Sequence, residues 1–222
     1  MRILLVVAMD SEAEALRTAA DAAPLPEIPG AALSHGRLGE LDVVIARADI
    51  GPVAAAVATS AVLASDRSFD AAISTGIAGA FPGCGLDVGD LVVSTNVIDA
   101  DLGMESGDGF EPGASRGWLG GSVACDPALV ARFAERLPAT ACDVLTVARL
   151  SAAPDRIAEL QRLFPNAPVE AMEGIGVAFA ARAFGVPALE IRAISNLVGP
   201  QDLYPWDPET ALANLTGALQ RC

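Results

Sequence analysis

The chain has no lysine: all 14 of its basic side chains are arginine. That absence excludes the Gly-Lys phosphate loop and every cofactor carried as a Schiff base, since both need a lysine amine. Histidine is nearly missing as well, with His35 alone, so acid–base work must fall to carboxylates. His35 sits near a predicted turn between two strands, away from every motif below, and reads as a surface or structural residue. Cysteine is sparse, and Cys84, Cys125, Cys142 and Cys222 form no C-x-x-C pair. Neither a structural zinc nor a disulfide framework is expected from such spacing.

Basic charge is in short supply overall, with 28 acidic side chains against 14 basic ones and a net charge of −14. Such a surface repels a phosphate backbone, so no nucleic acid and no anionic membrane is expected as a partner. Long hydrophobic runs are lacking too. The Ala-rich stretch Val53 to Ala64 is short and bounded by Asp49 and Asp66, too little to span a bilayer. The apolar start Ile3 to Met9 meets Asp10, Glu12 and Glu14 at once, and reads as a buried first strand rather than a secretory segment. A soluble, cytoplasmic protein is expected.

What is present is alternation. Val- and Ile-rich runs at Ile3 to Val7, Leu41 to Ala46, Ala71 to Ser74, Leu91 to Val97, Val144 to Val147 and Ala188 to Ile194 predict strands. Ala- and Leu-rich segments at Ser11 to Ala22, Val53 to Ala64, Pro127 to Leu137, Pro154 to Phe164, Glu173 to Phe184 and Pro208 to Leu219 predict helices. Alternating strands and helices argue for an α/β layer architecture. No linker or internal repeat interrupts it, so residues 1–222 read as one domain, a size at which a single core suffices. Pro82 to Asp90 and Gly103 to Gly121 are Gly-rich and read as loops, the second as a flap.

In open α/β sheets ligands sit beyond the carboxyl ends of strands, which directs attention to Ala8 to Glu12, Thr75 to Gly79 and Ser195 to Gly199. Gly76-Ile77-Ala78-Gly79 would let a ligand approach the backbone closely. Gly83, Gly85 and Gly89 miss the dinucleotide spacing G-x-G-x-x-G by one residue.

Five motifs occur in fixed order: Ala8-Met9-Asp10-Ser11-Glu12, Thr75-Gly76-Ile77-Ala78-Gly79, Val88-Gly89-Asp90-Leu91-Val92, Glu170-Ala171-Met172-Glu173-Gly174 and Arg192-Ala193-Ile194-Ser195-Asn196. Together they resemble the nucleosidase branch of the purine nucleoside phosphorylase family, over nearly the whole chain. Asp99-Ala100-Asp101-Leu102-Gly103, followed by Asp108-Gly109-Phe110, is similar to a subgroup of that branch that releases hypoxanthine from an inosine-like nucleoside in menaquinone biosynthesis. The resemblance implies a three-layer α/β/α sandwich with a central mixed sheet, a small-molecule nucleoside substrate, no cofactor or metal, and a homo-oligomer, dimer or higher.

By the same resemblance Glu12 orients and deprotonates the attacking water, and Glu173 accepts both ribose hydroxyls while Met172 packs on the sugar. Charge complementarity at a helix N-terminus would also account for either carboxylate. Gly76, Ile77 and Gly79 are expected to bind substrate, with Ile50 and Leu150 as apolar walls and Ser151 near the base edge. Core packing would also explain those last three. Phe110 is expected to reach a neighbouring subunit's pocket. Relatives that act on adenine nucleosides carry aspartate where this chain has Asn196. A 6-oxopurine presents acceptors at N7 and O6, and an amide NH₂ supplies the donors they need. A turn would also suit an asparagine.

Phosphorylases of the family place arginine where this chain has Ser74, and a phosphate-binding serine where it has Ile77, so water is the expected nucleophile. Adenine-acting nucleosidases usually keep that serine, so Ile77 removes one polar contact at the reaction centre. A substrate whose 5′ substituent ends in an aromatic carboxylate asks for a cation, for which Arg116 and Arg149 are the candidates. Two other readings stay open: a methylthioadenosine or adenosylhomocysteine nucleosidase, and a non-catalytic nucleoside binder.

Overall fold

The computed structural model describes residues 1–107 and 109–222. Its elements run β1 (Arg2–Val7), α1 (Asp10–Ala19), β2 (Ala23–Pro24), β3 (Ala32–Leu38), β4 (Leu41–Arg47), α2 (Pro52–Ser65), β5 (Ala71–Ala80) and β6 (Leu91–Asp99). There follow β7 (Gly103–Ser106), β8 (Gly109–Pro112), β9 (Ser122–Ala124), α3 (Pro127–Arg136), β10 (Thr140–Thr146), α4 (Pro154–Leu163), β11 (Val169–Ala171), α5 (Gly174–Ala183), β12 (Ala188–Leu197) and α6 (Pro208–Leu219).

Proline opens α2, α3, α4 and α6, where its missing N–H would have had no intrahelical partner. Asp126 and Asp207 cap α3 and α6 by accepting backbone N–H bonds. Helix α1 stops at Ala19, short of the expected Ala22, because Asp21 takes a left-handed conformation that turns the chain toward β2.

Ten strands form one mixed sheet in the order β11-β10-β6-β12-β5-β1-β4-β3-β2, with β9 on β6. Strand β11 pairs with β10 on one side and also antiparallel with β5, so the sheet curls back on itself at that end. Apolar Ile3 to Val7 is wholly buried in the middle, as a strand covered on both faces should be. Helix α2 packs on α5, and α1 packs on α6. Both α5 and α6 rest on β5 and β12, so the two pairs cover opposite faces and give three layers, α/β/α.

Three expectations need correction. Gly76 to Gly79 do not follow a strand but lie inside β5, because the flanking strands β12 and β11 pair with that stretch. Ser195 and Asn196 likewise lie inside β12. His35 is in the middle of β3, and its Nε2 meets Asp42 Oδ1 at 2.6 Å across to β4. Most of 103–121 is loop, as expected, but β7 and β8 form a hairpin within it.

Candidate active site

A cavity of about 260 Å³ opens at the carboxyl ends of β1, β5 and β12, near the lower end of the small-molecule range. Glu12, Ile50, Ile77, Gly79, Leu150, Ser151, Met172, Glu173 and Asn196 all line it. Sequence positions from the first strand to the last are thereby brought to one place. Gly76 stands behind the wall: with φ at +137°, it packs so close to Glu12 that a Cβ would collide with the carboxylate. Phe110 lies in β8 with its ring over Gly103, outside the cavity of its own chain. Asp108 lies outside the described residues.

Glu12 occupies the first turn of α1 and is 1% exposed. Its Oε2 accepts from the N–H groups of Ala8 and Met9, both at 3.0 Å, and its Oε1 from Ile77 N–H at 3.0 Å. Burial pushes its carboxyl above the ordinary glutamate value, against the pull of Arg192 and the backbone donors. Glu173 sits at the N-cap of α5 without capping it. Its Oε1 accepts from Gly51 N–H at 3.1 Å, where α2 begins, and its Oε2 meets Arg192 Nη2 at 3.0 Å.

Arg192 belongs to the fifth motif, but composition and spacing gave no reason to single it out. It lines the cavity at 1% exposure. All five of its N–H donors have acceptors: Nε bonds Glu190 Oε1 at 2.8 Å, Nη2 bonds Ser74 Oγ and Glu173 Oε2, and Nη1 bonds the carbonyls of Thr75 and Ile77. Burial works against its charge, yet Glu190, Glu173 and Glu12 together hold the guanidinium above its ordinary pKa. Ser74, at the position where phosphorylases carry arginine, serves here as an acceptor for Arg192.

A bulge in β12 shapes the purine end. Ile194 pairs with Ala78 and Asn196 with Gly79, leaving Ser195 as the extra residue. That breaks the two-residue alternation, and Ser195 and Asn196 both line the cavity with Arg192. Asn196 Oδ1 accepts from Ser195 Oγ at 2.8 Å, and its Nδ2 donates to the Leu197 carbonyl at 3.0 Å. Since a carbonyl can only accept, the amide is oriented, with one N–H left over.

Glu170 opens the fourth motif. It is 4% exposed, lines the cavity, and accepts from Ser151 N–H at 3.0 Å. The Asp99 to Gly103 segment supports the same wall. Asp99 ties back the N–H groups of Asp101 and Leu102, while Asp101 holds Ala148 N–H and pairs with Arg156. Met9, Gln201 and Trp206 also line the cavity. Arg116 pairs with Glu111 and stacks on Trp118, and neither it nor Arg149 lines the cavity.

The profile of the phosphorylase superfamily matches residues 2–222. A futalosine hydrolase of Streptomyces coelicolor is 40% identical over 99% of this chain and 94% of its own. A 5′-methylthioadenosine/S-adenosylhomocysteine nucleosidase of Bacillus cereus is 31% identical over 93% and 90%. The solved Neisseria meningitidis 5′-methylthioadenosine/S-adenosylhomocysteine nucleosidase, in complex with methylthio-immucillin-A, superposes with a TM-score of 0.81 at 25% identity, over 99% of this chain and 97% of its own. Fold, ordered motifs and near-full-length identity agree, and the chain belongs to the phosphorylase superfamily.

Proposed function

We propose that this chain hydrolyses the N-glycosidic bond of futalosine, releasing hypoxanthine, as one domain spanning residues 1–222. The observation that carries hydrolysis over phosphorolysis is the state of Arg192. It is the one cation lining the cavity among the described residues, its donors are all engaged, and Glu12, Glu173 and Glu190 surround it. A phosphate dianion would meet excess negative charge and no spare guanidinium donor. An electron-poor ribosyl carbon suits the same field, because positive charge builds on the sugar as the bond breaks.

In this reading Glu12 takes a proton from water as the oxygen bonds to C1′ and the bond to N9 breaks. Glu173 keeps a lone pair on each oxygen for the ribose hydroxyls, and Met172 packs on the sugar. The electron pair leaves with the base, where the remaining N–H of Asn196 meets N7 or O6, and the base then takes up a proton. Ile77 offers no hydroxyl at its own position on the cavity wall, which shifts more of the work to Glu12. The Streptomyces relative, a futalosine hydrolase similar over almost the full length, supports futalosine as the substrate; a role in menaquinone biosynthesis and a cytoplasmic location belong to the same proposal.

A homo-oligomer fits the surface. Val53 and Val57 on α2, Phe179 on α5 and the neighbouring Ile50 are exposed apolar side chains, a face that a second copy would cover. Phe110 would then approach a partner's cavity.

Purified protein incubated in phosphate-free buffer with futalosine and methylthioadenosine, side by side, is expected to release hypoxanthine from the first and little adenine from the second. Adenine release without hypoxanthine would sink the substrate assignment in favour of the adenine-nucleoside reading.

A further inference from the structure

Glu190 carries a charge that the reaction above does not use. It is fully buried in β12 and does not line the cavity, so it touches no substrate. Arg192 lies two residues on, and side chains two apart on a strand share a face. Small neighbours make room for the carboxylate. Ser74 stands opposite Glu190 on β5, Ser94 on β6 accepts the Glu190 N–H at 2.8 Å, and at Gly174, the first residue of α5, a Cβ would collide with the carboxylate. Its one hydrogen-bond donor among the described residues is Arg192: Oε1 accepts from Nε at 2.8 Å, and Oε2 has no hydrogen-bond partner.

A buried ion pair is weak support for stability, since apolar side chains of similar volume often serve as well or better. The use of Glu190 lies in what it does to Arg192. The bonds from Nη1 to the Thr75 and Ile77 carbonyls are long, at 3.4 and 3.3 Å, whereas Nε to Glu190 and Nη2 to Ser74 are both 2.8 Å. The two short bonds fix the plane of the guanidinium. Held there, it gives Glu173 a bond from Nη2 to Oε2 at 3.0 Å, while Oε1 faces Gly51 N–H. Released at Nε, it could turn and fork both oxygens of Glu173, the geometry that arginine and carboxylate prefer. That would occupy the lone pairs assigned to the ribose.

We propose that Glu190 is a positioning residue for the hydrolysis: it anchors Arg192 through Nε, so that Glu173 stays open to the ribose, and its negative charge keeps Arg192 from weakening Glu12 as a base. The inference rests on the hydrolytic reading and deepens it. The other charged or titratable groups around the pair are Glu12 from α1 and Glu173 from the start of α5, with Cys125 beyond β9 and Cys142 on β10. Burial pushes those two thiols up to about 11 and about 12, so they stay neutral. Asp143 on β10 is turned to Thr95 and Asn96. A change of charge at Glu190 is therefore answered by Glu12 and Glu173.

The test is the pH profile of kcat and KM, for the nucleoside that the wild type cleaves, in wild type, Glu190→Gln and Glu190→Asp. Glutamine keeps an acceptor for Nε without the charge, and aspartate keeps the charge one methylene short. Glu190→Gln should lower kcat/KM about 10- to 100-fold and move the acid limb to lower pH, because an Arg192 without Glu190 favours ionised Glu12 more strongly. Glu190→Asp should leave the limb in place and lose activity chiefly through a raised KM, as the turned guanidinium competes for Glu173. A residue that only braced the fold would reduce the amount of active enzyme, and an unmoved acid limb in the first variant with an unmoved KM in the second would overturn the proposal. One measurement needs no variant: in the wild type an arginine Nε–H resonance should persist for hours in heavy water, and exchange of every arginine Nε–H at once would show that no anchor exists. Turnover of methylthioadenosine in place of futalosine would revise the substrate alone, since each measurement applies unchanged to that nucleoside.

Discussion

Glu12 carries its negative charge on three backbone N–H groups beside a cation, in a place where water has been removed. Its raised pKa has two consequences of opposite benefit. Taking a proton from water needs the ionised form, so kcat/KM should fall as pH drops through a value above that of an exposed glutamate. Stability runs the other way: a carboxyl whose folded pKa is raised stabilises the fold below its unfolded pKa and loses that contribution as pH rises through the folded one. Glu12→Gln imitates the protonated residue. It should lower kcat/KM by about 10²- to 10⁴-fold and remove the acid limb, yet melt at a higher temperature than the wild type at pH 8 with the difference closing toward pH 4. A pH–rate profile and thermal melts at the two pH values check this, and a variant as active as wild type would end the proposed role.

Among residues, legibility followed the motifs. Glu12, Glu173, Met172 and Asn196 were visible because each ends or opens a recognisable local pattern, and the structure brings them to one cavity. Arg192 and Glu170 stand in two of the motifs, but nothing in the local sequence marks a function for them. A single arginine or glutamate within a strand reads from sequence as an outward-facing polar position. Only the layers packed above Arg192 and the pairing of β11 with β5 make these charges internal.

At the scale of elements, the six helices and six principal strands among the described residues could be read from periodicity, with most ends displaced by up to four residues. Strands β5 and β12 ran longer than expected. Their last residues are small or polar, which resembles a loop in sequence, and become strand because a neighbour on each side supplies hydrogen bonds. Helix contact is equally hidden in composition. Gly176 on α5 faces the Pro52 backbone at the start of α2, where a Cβ would overlap the carbonyl oxygen. Gly176→Ala should therefore force α2 and α5 apart, at a cost of about 1–3 kcal/mol. Because α2 also presents Gly51 N–H to Glu173, KM should rise as well. Urea unfolding and steady-state kinetics measure both, and an unchanged midpoint would show that the helices adjust freely.

For the whole molecule, the three-layer arrangement was legible in the alternation of strand and helix, whereas the return of the sheet through β11 was not, since a three-residue strand has almost no pattern of its own. The acidic balance also acquires a local meaning. The excess of carboxylate in the composition is repeated inside, where Glu12, Glu173 and Glu190 surround one arginine.

The cavity draws Glu12 from the first helix and Asn196 from the last strand. Catalysis is therefore a record of folding order. Contacts between such distant stretches close late, after local helices and hairpins have formed. During refolding from urea, far-ultraviolet circular dichroism should recover ahead of turnover, and turnover should return only in the slowest kinetic phase. Activity appearing in the earliest phase would mean that the first and last strands meet before the sheet between them is complete.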